Sequence, residues 1–250
     1  MTPDLRGEVD RVAATETLLV CLDFDGTISE LGPDAYAVRA HPEALAAIHE
    51  LMALPDTRVA VLTGRHLDGL RRVLPLDDPA VLVGSHGAET TEGSPELSVA
   101  DRAYLGRIQA LLEELATAPA FVEVKPYQRV IHVAKLAETQ PEEAEAILAR
   151  ARALDTAGRP VVSGNNVVEF SAIEVTKGSW LAGHKARFSA TLFAGDDTTD
   201  ETAMEVIGPG DLGIKVGTKP SAAQHRVEGV DAMAKVLTHL AAARRRFVLG

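Results

Sequence analysis

Apolar runs of five or six residues alternate along the chain with stretches in which apolar positions recur every three or four residues. The runs at 17 to 22, 58 to 62, 80 to 84, 190 to 195 and 212 to 216 carry little polar alternation, so they read as strands covered on both faces. Between them, stripes near 42 to 53, 66 to 73, 178 to 187, 200 to 207 and 231 to 245 read as amphipathic helices. Strands and helices in alternation predict an α/β fold with a parallel sheet, Rossmann-like in build.

The rhythm changes between 97 and 173. Tyr104, Leu105, Ile108, Leu111, Leu112 and Leu115 form one helical stripe, and Ile147, Leu148, Ala151 and Leu154 form a second. Each is followed by two short strand patterns, FVEVK with RVIHVA and PVVSG with NVVEFS, the latter pair joined by a Gly-Asn turn. The pattern predicts a separate αββαββ domain at 97 to 173, inserted between a first core segment at 1 to 96 and a second at 174 to 250. Within the insert, period-two alternation puts Val122, Val124, Ile131, Val133, Val168 and Phe170 under the helices, and Glu123, Lys125, His132 and Glu169 on the other face. Composition alone reads that second face equally well as a solvated surface.

With 250 residues, 46% of them hydrophobic, the chain has enough apolar material for one large domain or a core with an insert. A formal charge of -11 argues against nucleic acid or an anionic membrane as the main partner. The start, MTPDLRGEVDRVAATE, lacks the basic and apolar pattern of a secretory leader, and the single Cys21 cannot close an internal disulfide. A cytoplasmic location is the expectation. The ARRR run near the end reads as basic residues at a helix C-terminus.

Candidate chemistry gathers at the strand ends. Asp23 and Asp25, two positions apart after the first apolar run, project the same way at the carboxyl edge of a parallel sheet, where open α/β folds bind ligands. Asp196 and Asp197 follow another strand, and Asp200 and Glu201 open the next helix, with Thr198 and Glu201 spaced as a capping box. Together these carboxylates suit a hard, oxygen-loving cation such as Mg2+. Thr63, Gly64 and Arg65 follow a third strand. Lys177 sits where a helix begins, a position at which a cation needs an anion beside it, and a phosphate would serve.

The order DFDGT, LTGR, TKG and GDDTTD resembles the four signature motifs of the haloacid dehalogenase superfamily of phosphohydrolases. GSHGAE at 84 to 89, VEVKPYQRVIH at 122 to 132, VVEF at 167 to 170 and GDDTTDE at 195 to 201 narrow the resemblance to trehalose-6-phosphate phosphatases. It implies Asp23 as nucleophile, Asp25 as general acid and base, and Thr63 with Lys177 as stabilisers of the transferring phosphoryl group. Mg2+ would be held by Asp23, the Asp25 carbonyl and Asp196, with Asp197 or Asp200 holding metal-bound water or orienting Lys177. The insert would be a cap whose open sheet reads a phosphorylated disaccharide through Glu123, Lys125, His132 and Glu169, with Gly64 in the substrate site and Arg65 and His86, on core loops, touching the phosphate or the closed cap; His86 reads equally well as a loop histidine making a local hydrogen bond. The chain departs from the family pattern at Val133 and Ala134, where an aromatic residue and an arginine are usual, and at Phe170, Ser171 and Ala172. Strand parity would put Gln128, but not Arg129 or Lys135, on the face of His132 and Ala134. Trehalose 6-phosphate is the leading expected substrate. The alternatives are another disaccharide-like phosphate, a phosphomutase, or a non-catalytic sensor.

Overall fold

The computed structural model describes residues 1–250. In chain order the elements are α1 (Pro3–Ala13), β1 (Leu18–Leu22), α2 (Pro42–Met52), β2 (Thr57–Leu62), α3 (Leu67–Val73), β3 (Val81–Gly84), β4 (Glu89–Thr90), α4 (Val99–Leu115), β5 (Phe121–Val124), β6 (Gln128–His132), α5 (Ala134–Ala137), α6 (Pro141–Arg152), β7 (Val161–Gly164), β8 (Val167–Ser171), α7 (Lys177–Lys185), β9 (Ala190–Gly195), α8 (Glu201–Met204), β10 (Leu212–Val216), β11 (His225–Val227) and α9 (Val230–Leu249). They form two compact units, one of Met1–Ser94 with Val175–Gly250 and one of Pro95–Glu174.

The first unit holds a seven-stranded sheet in the order β11-β10-β9-β1-β2-β3-β4, parallel except for β4. β1 is central because it can bury both faces. Leu18, Val20 and Leu22 enter the core under α1, α2 and α9, while Leu19 and Cys21 enter the one that holds Trp180 and Leu181 of α7. β1 pairs in step with β2 (Leu22 opposite Val61) and with β9 (Leu22 opposite Ala194). The carboxyl ends of the three strands therefore lie side by side. From β1 the chain builds outward to β2 and β3 on one side and later to β9 and β10 on the other, which makes the carboxyl end of β1 a topological switch point.

Several elements differ from the periodic reading. α1 lies outside the expected elements although Leu5, Val9, Val12 and Ala13 stand at i, i+4, i+7 and i+8 on one helical face; its start is fixed by Thr2, whose Oγ1 accepts from Leu5 N at 3.3 Å. The helix expected over 200–207 is a single 3-10 turn at Thr198–Asp200 followed by the four residues of α8, which stops at Met204. The basic run does lie near a helix C-terminus, with Arg246 in the last turn, but Arg244 has a further role. α9 continues to Leu249, and Arg244 is fully buried, donating to the carbonyls of Ala13, Thr15, Glu16 and Asp56 and to Thr57 Oγ1 at 2.9 Å. It clamps α9 to the end of α1 and the starts of β1 and β2. No helix is long and apolar enough to cross a membrane.

The second unit is a four-stranded antiparallel sheet, β5-β6-β8-β7, with α4 and α6 packed on one face around Ile108, Leu112, Ile131, Ile147, Val168 and Phe170. Val124 is a correction. It ends the edge strand 54% exposed, while Arg129, directly opposite, reaches Gln109 of α4 at 2.9 Å. Ala134 is another: β6 stops at His132 and Ala134 opens α5, so strand parity does not carry to it. On the remaining face Lys125 Nζ donates to Glu169 Oε2 at 2.7 Å, and His132 Nε2 lies 2.9 Å from Glu123 Oε2, with Phe121 stacked on the imidazole at 4.7 Å. Lys125, Gln128 and Val130 are buried, so this face is not the fully solvated surface that composition alone allows.

Candidate active site

The first unit gathers the core-motif residues at the carboxyl ends of β1, β2 and β9. Asp23 extends β1 by one ladder bond, its N–H donating to Ala194 O at 2.9 Å. Its carboxylate is buried: Oδ1 accepts from Lys177 Nζ at 2.6 Å and Oδ2 from Thr27 Oγ1 at 3.3 Å. Lys177 is the first residue of α7 and donates also to Asp200 Oδ1 at 2.7 Å, while the other Asp200 oxygen accepts from Asp197 N at 2.9 Å. Two carboxylates thus offset the cation at the helix start.

Thr63 is buried at the end of β2, its N–H on Val83 O at 2.9 Å and its Oγ1 accepting from Arg65 N at 3.2 Å. His86 follows β3 with φ of 57° and donates its backbone N–H to Thr63 O at 3.0 Å. Its ring lies so close to Gly64 that a Cβ there would stand 2.6 Å from His86 Cε1. Arg65, expected to touch the phosphate or the closed cap, grips Asp25 in this structure: Nε and Nη2 reach the two carboxylate oxygens at 2.6 Å each, and Nη1 donates to Ala35 O at 2.5 Å. A fork of this kind is among the stronger side-chain pairings and fixes the orientation of the Asp25 side chain.

Burial sets the titration of the cluster. It pushes the Asp23 carboxyl up to about 8 against the pull of Lys177, with the charges of Asp200 and Asp196 adding to the rise. Asp196 is raised to about 6, first by burial and then by Asp200 and Asp197. Burial works to lower Lys177, but its two carboxylate partners outweigh this and the net shift is upward, so the lysine keeps its proton.

Oxygens of Asp23, Asp196 and Asp200 all lie within 4.8 Å of one another. Three converging carboxylates, two of them held back from ionising by burial, fit a hard divalent cation. Asp197 stands apart from this group. Its carboxylate is held by Lys219 Nζ at 2.5 Å, so it is Asp200 that partners Lys177. The side chain of Asp25 is likewise committed to Arg65, which leaves only its backbone carbonyl for a metal. The anticipated Thr198–Glu201 cap is replaced by the Asp197–Asp200 pair one residue earlier, and Glu201 accepts from Lys215 Nζ at 2.8 Å and Ala222 N at 2.9 Å.

Between about pH 4 and pH 8 the folded protein without metal binds more protons at Asp23 and Asp196 than the unfolded chain does. Its stability is therefore expected to fall as pH rises through that window, and cation affinity to increase, because binding displaces those protons. Calorimetric Mg2+ titrations at pH 6 and pH 8 check this; affinity independent of pH would contradict it.

Gly26 is a site residue that motif reading passes over as a turn. Its φ is 74°, and a Cβ there would stand 2.4 Å from Asp196 Cγ. Gly26→Ala should displace Asp196 and weaken metal binding about tenfold or more, judged by the tenfold to hundredfold cost of disturbing residues that orient metal ligands, with the metal-free melting temperature the smaller change. Lys215, buried within β10 and also donating to Asp197 O at 3.2 Å, was likewise hidden among strand residues.

A comparison of the sequence with family models matches the trehalose-phosphatase model over residues 21–236. The chain belongs to the trehalose-phosphatase family. Among curated relatives of this family member, the bifunctional trehalose-6-phosphate synthase/phosphatase of Thermoproteus tenax is 31% identical over 240 residues, which is 91% of this chain and 32% of that protein. The trehalose-phosphate phosphatase of Mycobacterium marinum is 30% identical over 243 residues, 89% of this chain and 61% of its own length. The chain thus spans about a third of the first relative and under two thirds of the second. Among solved structures, the C-terminal domain of C. albicans trehalose-6-phosphate phosphatase shares the fold with a TM-score of 0.79 at 16% identity, covering 96% of this chain and 97% of that one. A haloacid dehalogenase-like hydrolase from B. subtilis does so with a TM-score of 0.60 at 18% identity, covering 88% and 99%.

Proposed function

We propose that the chain hydrolyses trehalose 6-phosphate to trehalose and phosphate through an aspartyl-phosphate on Asp23, with Mg2+ as cofactor. The observation that carries this reading is the buried Asp23 carboxylate, gripped by Lys177 within a group of three converging carboxylates, in a chain of the trehalose-phosphatase family.

Lys177 and Thr27 fix the plane of the Asp23 carboxylate, so an oxygen meets the phosphorus without first ordering the side chain. Two of the three Lys177 protons go to Asp23 and Asp200, leaving one for a phosphoryl oxygen, and Thr63, whose Oγ1 already accepts from Arg65 N, has its hydroxyl proton to donate. Mg2+, held by Asp23, the Asp25 carbonyl, Asp196 and Asp200, would neutralise charge on the transferring group and keep Asp23 ionised. Asp25 protonates the leaving sugar oxygen and then takes a proton from the water that releases phosphate. Arg65 must loosen its grip for that first step, since a carboxylate clamped by a guanidinium has no proton to give.

For the second unit the reading assigns Glu123, Lys125, His132 and Glu169 to the sugar hydroxyls. The Lys125–Glu169 and His132–Glu123 pairs hold donors and acceptors in fixed positions, which suits a ligand made of hydroxyl groups. Glu169→Ala should lower catalytic efficiency on trehalose 6-phosphate by about a hundredfold while leaving hydrolysis of a small aryl phosphate within about threefold, because a site built for hydroxyls discriminates through them. Equal losses on both substrates would assign Glu169 to folding instead.

One observation favours a second reading, a phosphatase for another disaccharide-like phosphate: Ala134, where the family pattern has an arginine, brings no donors to the short α5. A phosphate-release screen over sugar phosphates, with and without Mg2+, decides. Trehalose 6-phosphate as best substrate, with trehalose and phosphate as the only products, supports the first reading, and a better substrate elsewhere in the panel supports the second. Interconverted isomers without released phosphate would mean a mutase.

A further inference from the structure

A cavity of about 390 Å³ lies in the first unit at the amino ends of β1 and β2, a strand's length from Asp23 and on the opposite edge of the sheet. Its wall includes Arg58, Glu92, Trp180, His184, Arg187 and Phe188. Three basic groups surround one carboxylate there: Arg58 Nη2 is 2.9 Å from Glu92 Oε1, while His184 Nε2 and Arg187 Nη2 stand 3.7 and 3.9 Å from Glu92 Oε2. Only the first is a hydrogen bond; the other two are at the outer limit of an ion pair. Glu92 comes from the turn after β4, beside Gly93 with its φ of 116°, and not from a packed element. A carboxylate on a turn, loosely ringed by two guanidiniums and an imidazole, shows what chemistry the wall accepts.

The body of the wall is flat and apolar. The His184 ring stacks on the Trp180 indole at 3.9 Å and 16°, with Phe188 nearby. Trp180 is buried and its N–H has no acceptor within the protein, so packing and the stack hold the indole, while the His184 ring is also fixed by Nδ1 donating to Trp180 O at 2.7 Å.

We propose that this cavity is a second binding site, for a small carboxylate or phosphate carried on a flat ring, in which Glu92 is the built-in competitor that the ligand anion displaces from Arg58 and Arg187. α7 joins it to the candidate active site. Lys177 opens that helix, and Trp180 and His184 follow on it, with Trp180 Cβ packed where a Cβ on Gly87 would stand 3.0 Å away, next to His86.

Trp180 is the chain's one tryptophan, so its fluorescence reports on the cavity directly and independently of any phosphatase activity. The probes are benzoate, with ring and anion; benzamide, with the ring alone; and acetate, with the anion alone. Benzoate should change Trp180 fluorescence saturably in the millimolar range of so small a ligand, about tenfold more tightly than benzamide, while acetate should bind more weakly still. Glu92→Gln should bind benzoate several-fold more tightly than the wild type. Arg58→Gln, or Arg187→Gln at a more exposed position, should bind it several-fold more weakly with an unchanged circular dichroism spectrum. Benzoate no better than benzamide, or a Glu92→Gln variant that binds it no more tightly than the wild type, overturns the proposal.

Discussion

Asp23→Asn is expected to lower phosphate release from trehalose 6-phosphate by about 10⁵-fold, the scale on which loss of a catalytic nucleophile acts in well-studied hydrolases. The amide matches the carboxylate in size and still accepts from Lys177, but it cannot attack phosphorus. Folding should survive, since Lys177 keeps Asp200 as an ion-pair partner and the ladder bond from Asp23 N to Ala194 O involves only the backbone. The neutral side chain also removes a buried charge, so the melting temperature without metal should hold or rise above pH 8, where the wild-type carboxyl is ionised. Steady-state phosphate release alongside thermal melts checks both parts. A folded variant with near wild-type turnover would remove Asp23 from the chemistry.

Asp25→Asn is expected to cost about 10²- to 10⁴-fold on a sugar phosphate, the range for loss of a general acid and base. The loss should be much smaller in the phosphoryl-transfer step from an aryl phosphate, whose leaving group departs without a proton. Because Arg65 forks onto both Asp25 oxygens, the substitution also frees a guanidinium, which Arg65→Lys separates from the acid role. The lysine variant keeps a cation but loses the bidentate grip, so it should disturb Asp25 far less than Asp25→Asn does. Single-turnover rates on the two substrate types, compared across both variants, supply the test. Equal losses on sugar and aryl phosphates would count against Asp25 as the acid.

The sheet and the strand-end carboxylates were legible because both rest on local rules. Runs such as LLVCL and ATLFAG have few other uses in a chain of this length, and acids placed just past their ends fall on one edge of a parallel sheet whatever the detailed packing. What stayed hidden was pairing over distance. Asp25 and Arg65 are 40 residues apart, and nothing in DFDGT or LTGR says that the arginine turns back onto the acid and not outward to a phosphate. The preference of Lys177 for Asp200 over Asp197 depends on a single 3-10 turn and on Lys219, beyond the reach of motif spacing. In the second unit, alternation succeeded in the middle of the strands and failed at their ends, where Val124 meets solvent and Ala134 has already entered a helix. The strands β4 and β11, two and three residues long, carried too little periodicity to register, whereas the stripe of α1 was present in the sequence at Leu5, Val9, Val12 and Ala13.

The most direct test of the central claim is the stereochemical course at phosphorus. Trehalose 6-phosphate bearing a thiophosphoryl group made chiral with oxygen-18 is hydrolysed in water enriched in oxygen-17, in the presence of Mg2+, and the configuration of the released thiophosphate is read. Two successive in-line displacements, first by Asp23 and then by water, predict net retention. Net inversion would mean that water attacks the substrate directly, and would contradict an aspartyl-phosphate on Asp23.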